Sequence, residues 1–331
     1  MDDDMCDAVT SHLLGSRPNT YTYTKALAEH LVAEGRGDIP TAIIRPSIIG
    51  AAWREPMPGW IDNYNGPTGI FVGIGKGLLR YMMGSMAATA DIIPVDIPVN
   101  MMIAIAWQTA VTRPERVHVF NCTSGRTNPV SWGEIETMIV KSVTKNPIDK
   151  VFRVPSARFT ASPLWYRLVV IFDHYLPAYI FDLVTKFIGG KPILMRIYDK
   201  IHRSLATLDY FTSNNWDFAS ENSLMLTSAM TEEDLKEFNF SMNGLRWQSY
   251  LDTYVLGTKQ FVLKEDLAGL PLARRHLLKL QIFQYLMQVV LFCVVWRLLV
   301  ARTNIARKLW RFVISLSQKF VVRLPRVTRS S

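Results

Sequence analysis

The chain reads as an α/β unit followed by a mainly helical region and a basic, apolar tail. A helical pattern over about Pro18–Glu34 leads through a glycine-containing turn to the buried strand pattern Thr41–Ile44, and helix-then-strand is the repeating unit of an α/β sheet. From about Leu164 to Thr258 the sequence is aromatic and helical, with no alternating strand pattern. Gln281–Val300 then supplies twenty mostly apolar positions. At ~1.5 Å per residue they span ~30 Å, the hydrocarbon thickness of a bilayer.

The elements follow in order. The first helix draws on good formers, Lys25-Ala26-Leu27-Ala28-Glu29, and stops at Gly35 and Gly37. Arg45-Pro46 closes the strand after it. Met101–Val111 has no breaker and reads as a buried helix, and Val117–Cys122 as a second apolar strand. Ser131-Trp132-Gly133-Glu134 is a capping box opening a helix over Ile135–Val140. Asn146-Pro147 and Val154-Pro155 loosen the pattern, so a domain boundary is expected near residue 150. Thr231-Glu232-Glu233-Asp234 is a further helix start. Trp310–Val322 is shorter and reads as interfacial.

With 331 residues, 49% hydrophobic and 20% charged, the chain is that of a folded protein. Its net charge of +9 is unevenly placed. Leu267–Ser331 holds twelve Lys and Arg and no Asp or Glu, which leaves 25 basic against 28 acidic residues in positions 1–266. Cations interleaved with long apolar runs suit a membrane surface and argue against nucleic acid as a partner. Cys6, Cys122 and Cys293 are too few and too scattered for a disulfide frame or a zinc site. The start Met1-Asp2-Asp3-Asp4 lacks the basic and apolar regions of a secretory signal. The residues Thr328–Ser331 match neither a peroxisomal nor a reticulum-retention address.

Tyr21 and Lys25, four apart at the head of the first helix, are the chemical candidates. Positions i and i+4 share a helix face, and an ammonium beside a phenol favours phenolate over a group whose ordinary pKa is ~10. That pair is the acid/base machinery of nicotinamide-dependent reductases. Alone the spacing is weak, since roughly half a match arises by chance in a chain with 12 Tyr. Its weight comes from the following strand and Pro-containing turn, because ligands of open α/β sheets bind at the strands' carboxyl ends. Gly69–Gly77 resembles a phosphate loop, but its Gly-x-Gly-x-Gly spacing fits neither the dinucleotide nor the Walker pattern. A flexible loop over the site is expected there. Cys122 is expected to be a small apolar residue at a strand end, Asp91–Asp96 to cap sheet and helix junctions, and His174, His202 and His276 show no metal-ligand spacing.

Longer strings carry a resemblance. Pro18–Glu29, Ala42–Ala51, Glu55–Pro67, Ala90–Asp96, Tyr210–Trp216 and Tyr254–Lys259, with the Arg-rich tail, resemble the alcohol-forming fatty acyl-CoA reductases over nearly everything after residue 17. The resemblance implies the carboxyl-terminal part of a Rossmann-like short-chain dehydrogenase domain (1–150), a helical carboxyl-terminal domain (151–266) and a membrane-anchoring tail (267–331). It also implies NADPH as cofactor, long-chain acyl-CoA as substrate, primary alcohol as product and membrane lipid as partner, with homo-oligomers open. Tyr21 would donate the proton, Lys25 would lower the Tyr pKa and bind the nicotinamide ribose, and Pro46, Ser47 and Ile48 would offer backbone groups to the carboxamide. The membrane would be peroxisomal, with the reticulum as alternative and the catalytic part cytosolic. The family's amino-terminal half, with its glycine loop and catalytic Ser/Thr, finds no counterpart here. An amino-terminally truncated member is therefore expected, and a catalytically inactive relative keeping a membrane or assembly role is the alternative.

Overall fold

Asn19 opens the first helix of the computed structural model. Its extended backbone frees the side-chain carbonyl to accept the Thr22 N–H at 2.9 Å, and the Thr22 hydroxyl donates back to the Asn19 carbonyl at 2.9 Å. The structure describes residues 9–302 other than 11, together with 308, 312 and 315. Met1–Asp4, Cys6, and all but Phe312 and Ser315 of Trp310–Val322 lie outside the described residues. Helix α1, Thr20–Gly35, buries none of its residues and leaves Leu27, Leu31 and Val32 exposed.

Strand β1, Ala42–Pro46, is followed after one residue by β2, Ile48–Gly50. β4 is Ile92–Pro94 and β5 is His118–Cys122. β1 pairs in parallel with β5, from Ala42 opposite His118 to Pro46 opposite Cys122, and β2 pairs in parallel with β4, from Ile48 opposite Ile92 to Gly50 opposite Pro94. One extended segment thus exchanges partners at its midpoint. The Ser47 N–H donates to the Cys122 carbonyl and the Ile48 N–H to the Asp91 carbonyl, both at 3.0 Å. Parallel strands need a crossover, and α3, Asp96–Thr112, makes the one between β4 and β5. A third parallel pair joins β3, Met82–Met83, to β6, Phe159–Thr160.

The expected loop at Gly69–Gly77 is instead mostly helix. α2, Pro67–Gly75, has Pro67 in its first turn and buries Phe71, Gly73 and Ile74. The glycines serve close packing: a Cβ on Gly73 would lie 3.1 Å from Leu79, and one on Gly75 3.1 Å from Ile148.

α4, Trp132–Lys145, starts at the expected capping box, with Ser131 accepting the Glu134 N–H and Glu134 accepting the Ser131 N–H. Its buried face, Ile135, Ile139 and Val143, meets α11, Trp247–Gly257. Asp252 of α11 accepts from Ser142 at 2.6 Å and pairs with Lys145. Side chains from Ala51 to Val255 form one buried cluster, so the late helix α11 completes the core of the early strands. Its backbone also comes very close to the loop after β2: a Cβ on Gly257 would overlap the Gly59 carbonyl, and Gly59 itself has φ +81°. Between α4 and α11 lie α5 (Pro163–Val169), a π-helical turn (Val170–Tyr175), α6 (Leu176–Phe187), α7 (Leu194–Ala206), α8 (Asp209–Ser213), α9 (Glu221–Ala229) and α10 (Glu232–Glu237).

One compact unit ends at Leu277 and a second begins at Leu278. The last described helix, α12, Leu270–Arg302, has 33 residues and is ~50 Å long. Among the described residues two stretches are long and apolar enough to cross a membrane, Pro163–Phe187 and Leu267–Leu299, with mean hydropathies of 1.4 and 1.8.

Candidate active site

The first turn of α1 brings Tyr21 and Lys25 together as the spacing requires. The Lys25 ammonium lies 5.7 Å from the centre of the Tyr21 ring, and the ring is 66% exposed. A cation at that distance from an aromatic face is held by the ring's quadrupole. The helix is fixed beside β1 two turns further on. There Arg45 grips Glu29 with Nε 2.9 Å from Oε1, and Nη2 bonds the second oxygen. The hydrogen bond from Arg45 holds the Glu29 carboxyl below its usual range, against a smaller opposing effect of burial.

Arg45 leads directly into Pro46-Ser47-Ile48. Pro46 has no N–H, and the amides of Ser47 and Ile48 are spent on Cys122 and Asp91. Both amide donors of the turn are therefore committed to the sheet. What the turn does offer is the Ser47 hydroxyl, buried and without a hydrogen-bond partner. An orphaned buried hydroxyl at the carboxyl end of a parallel strand has the chemistry to meet an amide. Among the described residues no hydrogen bond joins Tyr21 or Lys25 to this turn.

The surrounding polar residues are structural. Asp91, buried, accepts from the Ser124 N–H at 2.6 Å, its hydroxyl at 3.0 Å and the Gly125 N–H at 3.2 Å. Asp96 accepts the N–H groups of Trp53, Arg54 and Glu55. Both cap junctions, as their positions suggested. Burial, with Asp91 adding to it, pushes the Cys122 thiol up to about 12, so it is no nucleophile. Among the described residues no cluster of His, Cys, Asp or Glu could hold a metal ion.

Sequence reasoning missed a second polar constellation, beside a cavity of about 290 Å³ lined by Ile70, Met82, Met83, Tyr166, His202 and Thr212 among others. The Arg80 amide donates to His174 Nε2 at 3.3 Å, so the neutral ring holds its proton on Nδ1 and donates to His202 Nε2 at 3.1 Å. His202 Nδ1 in turn lies 3.1 Å from the Tyr166 hydroxyl. Burial, reinforced by His202, Arg153 and Arg80, drives the His174 pKa down to about 3. The two histidines stand 28 positions apart, and no short spacing marks them.

Two family models, each described as a male sterility protein, match the chain. One, a nicotinamide-nucleotide-binding model, covers residues 1–102 and so takes in Tyr21, Lys25 and Ser47; the other covers residues 173–265. Fatty acyl-CoA reductase 1 of Gallus gallus is 45% identical over 321 residues, which is 97% of this chain and 62% of the relative. Fatty acyl-CoA reductase 1 of Homo sapiens is 44% identical and fatty acyl-CoA reductase 2 of Mus musculus 42%, each over the same shares. The chain thus spans about three fifths of the length of the curated relatives it matches.

Proposed function

We propose that the chain is a member of the family of fatty acyl-CoA reductases and male sterility proteins, and that it takes part in NADPH-dependent reduction of a long-chain acyl-CoA to a primary alcohol, with release of CoA. The observation that carries this reading is the Tyr21–Lys25 pair at the exposed start of α1, inside the segment matched by the nucleotide-binding model. The paired strands β1/β5 and β2/β4 with crossover α3 are read as the carboxyl-terminal part of a Rossmann-like short-chain dehydrogenase domain, residues 1–150. A helical domain, 151–266, and a membrane-anchoring tail, 267–331, follow it. The membrane we propose is the peroxisomal one, with the reticulum as alternative and the catalytic part facing the cytosol; the resemblance of the quoted strings supports it.

Two NADPH, bound in turn and each leaving as NADP+, would supply one hydride to each of the two reductions. Tyr21 Oη would donate its proton to the thioester carbonyl oxygen as the carbon is reduced. The resulting hemithioacetal loses the CoA thiol and leaves an aldehyde. A re-protonated Tyr21 then donates to the aldehyde oxygen, giving the alcohol. Lys25 would favour the phenolate left behind each time and hydrogen-bond the nicotinamide ribose. The Ser47 hydroxyl, which has no partner of its own, would meet the carboxamide beside Pro46 and Ile48. Positioned proton transfer of this kind is worth ~10²–10⁴ in rate.

The test is acyl-CoA-dependent NADPH oxidation with CoA release, measured with palmitoyl-CoA in detergent. It is run on this chain and on a chimaera in which the amino-terminal residues of the Gallus gallus relative precede it. Turnover in either that falls with Lys25→Met supports the proposal. A chimaera that binds NADPH and acyl-CoA yet turns over neither would establish the inactive, membrane-held alternative.

A further inference from the structure

The stretch from Pro163 to Ile193 divides its residues between two faces. Val170, His174, Ala178 and Asp182, spaced four apart, form one buried stripe. Every polar group on it has a partner. His174 sits between the Arg80 amide and His202. Asp182 accepts the N–H groups of Ile193 and Leu194 at 3.0 Å and Met195 at 2.9 Å, capping α7. The opposite face is apolar and bare. Trp165, Phe172, Ile180 and Phe181 are more than half exposed, and Phe187 and Ile188 are 83% and 79% exposed. A contiguous apolar patch of this kind marks an interaction surface.

The charges around it identify the partner. Between Pro163 and Ala206 six cations are exposed: Arg167, Lys186, Lys191, Arg196, Lys200 and Arg203. Of the three carboxylates in that stretch, Asp173 is bound by Arg80 at 2.8 Å and Arg153 at 3.6 Å, Asp182 is spent on the α7 cap, and Asp199 alone is exposed. Aromatic and aliphatic side chains on one face with a cationic rim fit an anionic lipid surface. A transmembrane course is excluded, because it would carry His174 and Asp182 and their partners through hydrocarbon. We propose that the outer face of Pro163–Ile193 seats the protein in the headgroup layer of an anionic bilayer. The helices lie in the membrane plane, as a contact separate from the apolar helix α12.

The test uses the full chain carrying Cys6→Ser and Cys293→Ser, with single cysteines introduced as Phe172→Cys, Ile180→Cys or Glu237→Cys and labelled with an environment-sensitive fluorophore. Each variant is reconstituted into vesicles containing about one third phosphatidylserine or phosphatidylcholine alone. Labels at 172 and 180 are expected to be quenched by an acyl-chain nitroxide at least about fivefold more than the label at 237, and only in the anionic vesicles. Replacing Arg167, Lys186, Lys191 and Arg196 by Gln is expected to cut that quenching about threefold. Labels at 172 and 180 as open to aqueous iodide as the one at 237, in vesicle-bound chain that melts like the parent, would overturn the proposal. So would labels shielded from both iodide and the acyl-chain nitroxide in proportion to chain density and regardless of lipid charge, since a second copy would then cover the face.

Discussion

At Ser47 a hydroxyl is buried in a turn whose own amides are already committed. A buried hydroxyl without a partner costs free energy in the folded chain, so removing it should not harm stability. Ser47→Ala is expected to leave the melting temperature unchanged or raise it slightly, while weakening NADPH binding about fivefold in titration calorimetry. Loss of stability with affinity intact would assign the hydroxyl to packing. Lys25→Met is expected to weaken NADPH and slow turnover together, because the proposal gives one ammonium to both the ribose and the phenolate. Tyr21 and Lys25 were legible in the sequence because four residues is one helical turn. The state of the turn at Ser47 was not: that its N–H groups are used up depends on Cys122 and Asp91, which lie 44 to 75 positions away.

Two elements store their stability in buried ions and neutral histidines. The Lys259 side chain is fully buried in the π-helical turn Thr258–Val262, 2.5 Å from Asp149 and 2.9 Å from Glu265. Glu265 also takes Lys76 at 3.2 Å and the Asp149 N–H at 2.7 Å. Removing the Lys259 ammonium leaves Asp149 partly exposed to water and Glu265 with Lys76 as its remaining partner, so the cost falls below the ~3–5 kcal/mol of a fully stranded buried pair, at about 1–3 kcal/mol. Lys259→Met is expected to lower the urea midpoint accordingly, and a change below about 1 kcal/mol would show the carboxylates to be solvated instead. For His174 the sign follows from its depressed pKa. Folded it stays neutral down to about 3, whereas unfolded it takes up a proton near its ordinary 6.5. Its contribution is therefore complete above pH 6.5 and is lost as pH falls from there toward 3, at ~1.4 kcal/mol per pH unit for one proton. Melting temperature against pH should show this slope, and His174→Gln should flatten it. The capping box at Ser131 and the strands at Ala42 and His118 could be read from local pattern. The glycines of α2 could not: locally they punctuate like a loop, and only Leu79 and Ile148 pressing on them reveal a helix.

Across the whole molecule, the early strands and the late helix α11 share one buried cluster, with the Tyr254 ring against Phe71 at 5.2 Å and its hydroxyl 2.8 Å from Thr68. A core closed by residues nearly two hundred positions apart does not show in periodicity. The apolar stretch Pro163–Phe187 was equally opaque, since an apolar helix pattern does not tell a covered face from a bare one. The apolar span Gln281–Val300 within α12, in contrast, could be read from length and composition alone, although the helix begins earlier, at Leu270. Tyr254→Phe is expected to leave the fold intact, while Tyr254→Ala should destabilise it by ~3–5 kcal/mol, as for other buried aromatics, in thermal denaturation. The central claim concerns a proton held on Tyr21. The most direct measurement is the fatty alcohol formed from palmitoyl-CoA and NADPH by the vesicle-bound chimaera, set against its Tyr21→Phe variant. Alcohol formation reduced ~10²–10⁴-fold with NADPH affinity unchanged within about twofold is the result this account predicts. Alcohol formed by Tyr21→Phe at within about threefold of the parent rate would contradict it.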